Sequence, residues 1–193
     1  ALVTPCCLDA HCHIGLDNTA MRWEGMDYNE IVEPVTPQLR AIDSINPMDE
    51  SFPNALRGGV TTAVTGPGSA NVVGGTFVAI KLAGKRVDNM LVKNPVAMKV
   101  AFGENPKGCY GNNKKSPMTR MAVVALLREL LFKTKRYMED TKAGKNPAFD
   151  MKLEAMIPVL KGEIPLKAHA HRADDILSSI RVAKEFGVKL TLD

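Results

Sequence analysis

The stretch Ile164–Leu192, IPLKAHAHRADDILSSIRVAKEFGVKLTL, reads as strand, helix, strand. Residues 164–170 are short and extended in character. Across 173–186, Ile176, Ile180, Ala183 and Phe186 recur at helical spacing on one face. Gly187 stands just past that helix, where a left-handed backbone favours glycine. Residues 188–192 resume a strand, and the chain ends at Asp193. Two strands joined through one helix predict a parallel pair.

The same alternation extends outward. Residues 8–13 read as a buried strand, followed by an irregular stretch over 14–40 that carries the only Trp, Trp23. Asn46-Pro47 reads as a helix start, with Asp49 and Glu50 favouring it through the dipole, and Gly58-Gly59 as its end. Strands are expected over 60–65, 76–82 and 96–102. The segment 85–94 is too short for a crossover helix. Residues 103–117 read as a Gly/Asn/Lys-rich loop. Helices are expected over 117–142, with Met121, Val124, Leu127, Leu131 and Met138 on its apolar face, and over 149–161, bent by Pro158. Six strands alternating with helices predict an α/β fold, an incomplete (β/α)8 barrel filling one domain over 1–193. A closed barrel needs eight strands and about 250 residues.

Composition narrows the class. At 193 residues, 45% hydrophobic and 24% charged, the chain suits a globular domain. No apolar run approaches the roughly 20 residues of a membrane helix, and residues 1–5 lack the pattern of a signal peptide. A cytoplasmic protein without membrane association is the expectation. The net charge of +4 gathers at Lys107, Lys114, Lys115, Lys133, Lys135 and Arg136. No aromatic residues interleave that basic loop, so it reads as a solvated face and not as a nucleic-acid site. Cys6, Cys7, Cys12 and Cys109 match neither a zinc knuckle nor a disulfide framework and read as reduced, buried thiols.

All four histidines fall in two His-x-His pairs, His11-Cys12-His13 and His169-Ala170-His171. Random placement would give two such pairs roughly a few times in ten thousand. On a strand, residues i and i+2 share a face, so each pair aims two imidazoles into one space. Neutral imidazole is the commonest metal ligand, and several converging imidazoles suit Zn²⁺ or a similar divalent ion. Spacing does not decide which of His169 and His171 binds metal. Cys12 faces away from His11 and His13. Asp9 shares their face, either as a partner fixing a His tautomer or as a structural Asp. Gly66-Pro67-Gly68-Ser69 reads as a turn, and Gly74-Gly75 lacks the ending of a P-loop.

Leu8-Asp9-Ala10-His11-Cys12-His13 resembles the first barrel strand of the amidohydrolase superfamily, with its Pro-Gly-apolar-apolar-Asp-x-His-x-His pattern. Gly58-Gly59-Val60-Thr61-Thr62 resembles the second strand, Ala168-His169-Ala170-His171 the fifth, and Lys189-Leu190-Thr191-Leu192-Asp193 the sixth. The likeness is to imidazolonepropionase-like and prolidase-like members. It implies His11, His13 and His169 as metal ligands, with His171 orienting substrate or supporting a ligand. It also implies Lys99, where relatives use a carboxylated lysine, or Glu104 as a further ligand. The expected cofactor is Zn²⁺ or another divalent metal, one or two ions.

The implied reaction is hydrolysis of a C–N bond, amide or cyclic amide, in a small molecule or dipeptide. Cys6 stands where the family has Gly. The family's sixth-strand His and its proton-shuttle Asp fall outside the chain, so the catalytic acid is unassigned. The alternative is a fragment that only binds metal and, through exposed strand edges, self-associates into a homo-oligomer.

Overall fold

The computed structural model describes residues 6–193; Pro5 of the first-strand pattern lies outside them. The strands are β1 (Cys7–Cys12), β2 (Val60–Thr65), β3 (Val73–Lys81), β4 (Leu91–Ala101), β5 (Leu166–His169) and β6 (Leu190–Leu192). The helices are α1 (Ser51–Arg57), α2 (Val87–Met90), α3 (Glu104–Asn112), α4 (Arg120–Lys142), α5 (Met151–Leu160) and α6 (Ala173–Phe186). The strands hydrogen-bond in the order β1-β2-β3-β4-β5-β6.

The pairs β1–β2, β4–β5 and β5–β6 are parallel, as expected. The pair β2–β3 is antiparallel, with Thr62 opposite Lys81 and Thr65 opposite Val78. The all-parallel expectation is corrected there. Only seven residues, 66–72, separate the two strands, too few for the crossover that a parallel neighbour needs.

The chain forms two compact units. The first comprises the described residues up to Tyr28, with Arg40–Pro67 and Thr76–Val96. Its core gathers Leu16, Ala41, Ile45, Phe52, Ala63, Val78, Ile80, Leu82 and Met90. The helix expected from Asn46 begins instead at Ser51. Asn46 folds back on itself, accepting from the Met48 backbone N–H at 3.1 Å.

Asp49 marks the true entry to α1. Its carboxylate accepts the Ser51 N–H at 2.9 Å, the Thr19 N–H at 2.6 Å and the Thr19 hydroxyl at 3.1 Å. Burial pushes this acid up, but the Ser51 and Thr19 hydrogen bonds outweigh it and hold the carboxyl below the ordinary range. Asp49→Ala should cost about 2 kcal/mol in urea unfolding at neutral pH. A depressed folded pKa stabilises above the unfolded value, near 3.9. The gap between native and variant should therefore close as pH falls below that value.

The second unit comprises Asn29–Leu39, Gly68–Gly75 and Ala97–Asp193. Its core packs Met98 and Val100 of β4 and Leu166 and Ala168 of β5 against Leu127 and Leu131 of α4, Met156 and Val159 of α5, and Val182 and Ala183 of α6. Thr119 caps α4, accepting the Ala122 N–H, and Asp150 caps α5. The buried stripe of α4 is Val123, Leu127, Leu130, Leu131 and Thr134. Leu127 and Leu131 fall as expected, whereas Met121 is exposed. The loop expected over 103–117 contains α3, whose Tyr110 is buried and reaches the carbonyls of Glu30 and Glu33.

Strand alternation then places the chemistry. With Met98 and Val100 turned into the apolar core, Lys99 takes the other face of β4. With Leu166 and Ala168 turned inward, Lys167 and His169 take the same face of β5. Lys99 is paired in register with Lys167 and Ala101 with His169.

Candidate active site

In the first unit, β1 carries His11 and is followed directly by His13. Their rings meet edge to face with centroids 5.2 Å apart. His11 lies tilted on Phe77 and His13 stacks on Tyr28. The His13 Nδ1–H donates to the Gly66 carbonyl at 2.7 Å. A carbonyl only accepts, so the proton is held on Nδ1 and the Nε2 lone pair is the one presented.

Gly66 earns its place by bareness: a Cβ there would stand 2.3 Å from the Phe77 ring. Its turn therefore orients a histidine, a role that the sequence did not reveal. The Asp9 carboxylate accepts the His11 backbone N–H at 3.0 Å, which gives it a structural task. Cys12 points its thiol at the Val64 carbonyl and is half-buried; burial raises its pKa. Cys6 and Cys7 are exposed, against the expectation of buried thiols, and none of the four cysteines is in a disulfide.

In the second unit, the face opposite the core is polar. Lys99 is wholly buried and donates from Nζ to Asp193 Oδ2 at 2.8 Å. Burial pushes the Lys99 amine down, Asp193 opposes that shift, and nearby Lys167 adds to it. Asp193 Oδ2 also stands 3.7 Å from His169 Nδ1.

His169 Nε2 lies 2.8 Å from His171 Nε2, and Asn105 Nδ2 donates to His169 Nε2 at 3.1 Å. The Nδ1–H of His171 donates to Glu104 Oε1 at 2.8 Å. Asn105 Nδ2 offers only N–H groups, so His169 Nε2 is the acceptor in that contact. Glu104 opens α3 beyond β4. Its own backbone N–H and the His171 side chain hold its carboxyl below the ordinary range.

The structure thus joins His11 to His13, His169 to His171 and Glu104, and Lys99 to Asp193. Lys167, Asn105, Asp193, Arg120 and Asp175 were not anticipated. Lys167 alone carried a signal, sharing a face with His169 by strand period. The donor types suit a divalent ion: each unit brings two imidazoles together, and one of the four rings is backed by a carboxylate. Among the described residues, however, no three His, Cys, Asp or Glu side chains stand together as a metal-holding group.

Gly103 precedes α3 at φ +76°, and a Cβ there would stand 2.3 Å from Asp175 Oδ2. Gly103→Ala should lower stability by about 2–3 kcal/mol, measured by thermal melting, because both the backbone and the carboxylate must move.

No family model matches the chain. It is 27% identical over 203 residues to amidohydrolase tasK of Hapsidospora irregularis, a match spanning 93% of this chain and 21% of that protein. It matches the crystal structure of an amidohydrolase from Thermotoga maritima MSB8 with a TM-score of 0.95 and 44% identity, over 98% of this chain and 51% of that one. The chain therefore spans about half of the solved relative and about a fifth of the curated one. No helix among the described residues is long and apolar enough to cross a membrane.

Proposed function

We propose that this chain, similar over nearly all its length to proteins named amidohydrolases, carries part of a metal-dependent hydrolase. The reaction is cleavage of a C–N bond, amide or cyclic amide, in a small molecule or dipeptide. The observation that carries this reading is the His169–His171–Glu104 cluster at the end of β5, in which His169 Nε2 accepts from Asn105 and lies against His171 Nε2.

That acceptor nitrogen supports His169 as the ligand. His171, held at Nδ1 by Glu104, is the group that orients substrate. In the first unit, His11 and His13 are the imidazole donors, with the His13 Nε2 presented by the Gly66 carbonyl. Lys99, buried and shifted towards its neutral form, suits carboxylation, and Glu104 is the alternative carboxylate. The ion, Zn²⁺ or another divalent metal, supplies polarisation of the scissile carbonyl and activation of water. The chain's own residues do the rest. Glu104 holds the His171 Nδ1 proton, Asn105 orients the His169 ring, and Asp193 pairs with the uncarboxylated Lys99 amine.

A second reading, a piece that binds metal without turnover, is favoured by the span of the match, about half of the solved relative. Chelator-treated protein, assayed on N-acyl amino acids, dipeptides and cyclic amides with and without added Zn²⁺, separates the two. Zn²⁺-dependent turnover supports the hydrolase. Metal uptake without turnover supports the second reading, and metal-independent turnover ends both.

A further inference from the structure

The third residue of α6, Asp175, is a buried carboxylate, its side chain 3% exposed. A buried charge needs a partner with good geometry. Arg120, the first residue of α4, provides one with its fork. Nε donates to Oδ1 at 2.9 Å and Nη2 to Oδ2 at 3.1 Å. The same Nη2 donates to Glu104 Oε2 at 3.1 Å. Glu104's other oxygen accepts from His171.

Glu104 and His171 are each about half exposed, at 47% and 52%. An isolated pair so placed contributes little and leaves both side chains free to rotate. Here Arg120, anchored on a buried acid, holds the second oxygen of Glu104 and so fixes its rotamer. Gly103 gives the Asp175 carboxylate its room. The arrangement joins the starts of three helices, α3, α4 and α6, to one imidazole.

We propose that Arg120 is a positioning residue that, tethered by Asp175, locks Glu104 and through it sets the His171 ring against His169. A lysine cannot replace it, because one ammonium does not span oxygens of two carboxylates as a planar fork does. The positioning stands without the metal reading. Its consequence for metal affinity rests on that reading.

The test is ¹H–¹⁵N imidazole NMR of the metal-free chain. The native protein should give a resolved, downfield, slowly exchanging His171 Nδ1–H. Arg120→Gln and Arg120→Lys should both broaden or lose it, while the melting curve stays cooperative. If Arg120→Gln does not fold, the Lys variant carries the test. In a Glu104→Gln background, adding Arg120→Lys should produce no further change at His171, since the effect runs through Glu104. An unchanged His171 signal in the folded Arg120 variants, or an equal change in the Glu104→Gln background, would overturn the proposal. Zn²⁺ titration is the separate arm. Affinity reduced about 10-fold in Arg120→Lys extends the positioning to metal binding. A moved His171 signal with unaltered Zn²⁺ affinity keeps Arg120 as positioner and counts against the metal reading.

Discussion

Replacing His169 with alanine should weaken divalent-metal binding by more than about 100-fold, because even groups behind the ligands change affinity 10–100-fold. The reason lies in the β5 register. Leu166 and Ala168 are committed to the apolar core, so His169 cannot turn inward without breaking the alternation. Its Nε2 accepts from Asn105 at 3.1 Å and lies 2.8 Å from His171 Nε2. Alanine removes the acceptor and costs little packing, since the ring is not part of the core cluster. The effect should therefore appear in metal binding and, on the proposed reading, in turnover, with the melting temperature nearly preserved. Competition with a chromogenic chelator measures the first, and calorimetric melting the last. His13→Ala should also weaken metal binding, through loss of the Nε2 that Gly66 orients. His171→Ala should retain metal better than either. If His171→Ala instead shows the larger loss, the two roles are exchanged.

Asp193→Ala should destabilise the chain by about 3 kcal/mol at neutral pH, since removing one partner leaves the other charge buried. Lys99 is the buried charge, wholly enclosed and paired with Asp193 at 2.8 Å. Burial already lowers its pKa, and Asp193 is the group that opposes the shift. Without Asp193 the folded-state pKa falls further below the ordinary lysine value. A depressed lysine pKa penalises the fold at every pH where the unfolded chain holds the proton. The deficit should be full below the variant's folded pKa and shrink as pH rises towards 10.5, where the unfolded chain also loses its proton. Urea unfolding at several pH values reads this directly. Lys99→Met in the same background should recover most of the loss, because a methylene chain of similar volume needs no counter-charge. A flat pH profile in Asp193→Ala would show that other groups carry the Lys99 charge.

The sequence disclosed the elements whose ends are chemically marked. β2 runs from the Gly58-Gly59 pair to Gly66, and α6 stops at Gly187 with φ +67°. The expected bounds of both match the structure. α3 stayed hidden because Pro106, Gly108 and Gly111 argue locally against a helix. Tertiary contacts supply what propensity lacks, above all buried Tyr110 and its hold on the Glu30 and Glu33 carbonyls. The antiparallel pairing of β3 follows from the short 66–72 connection, which the alternation of elements does not reveal.

At the site, period two found both imidazole pairs, and each pair does meet in the structure. The groups that orient them could not be found that way. A backbone carbonyl such as that of Gly66 has no side-chain signature. Arg120 reaches Glu104 and Asp175 across 16 and 55 positions, separations that no local pattern encodes. The resemblance read from four short segments agrees with the names of both relatives, each an amidohydrolase.

X-ray absorption at the zinc edge, on chelator-stripped protein refilled with Zn²⁺, tests the central reading most directly. The account predicts saturable uptake and a first shell with imidazole nitrogens at about 2.0–2.1 Å, diminished by His169→Ala. Zinc that washes off, or a shell without imidazole scattering, would contradict it.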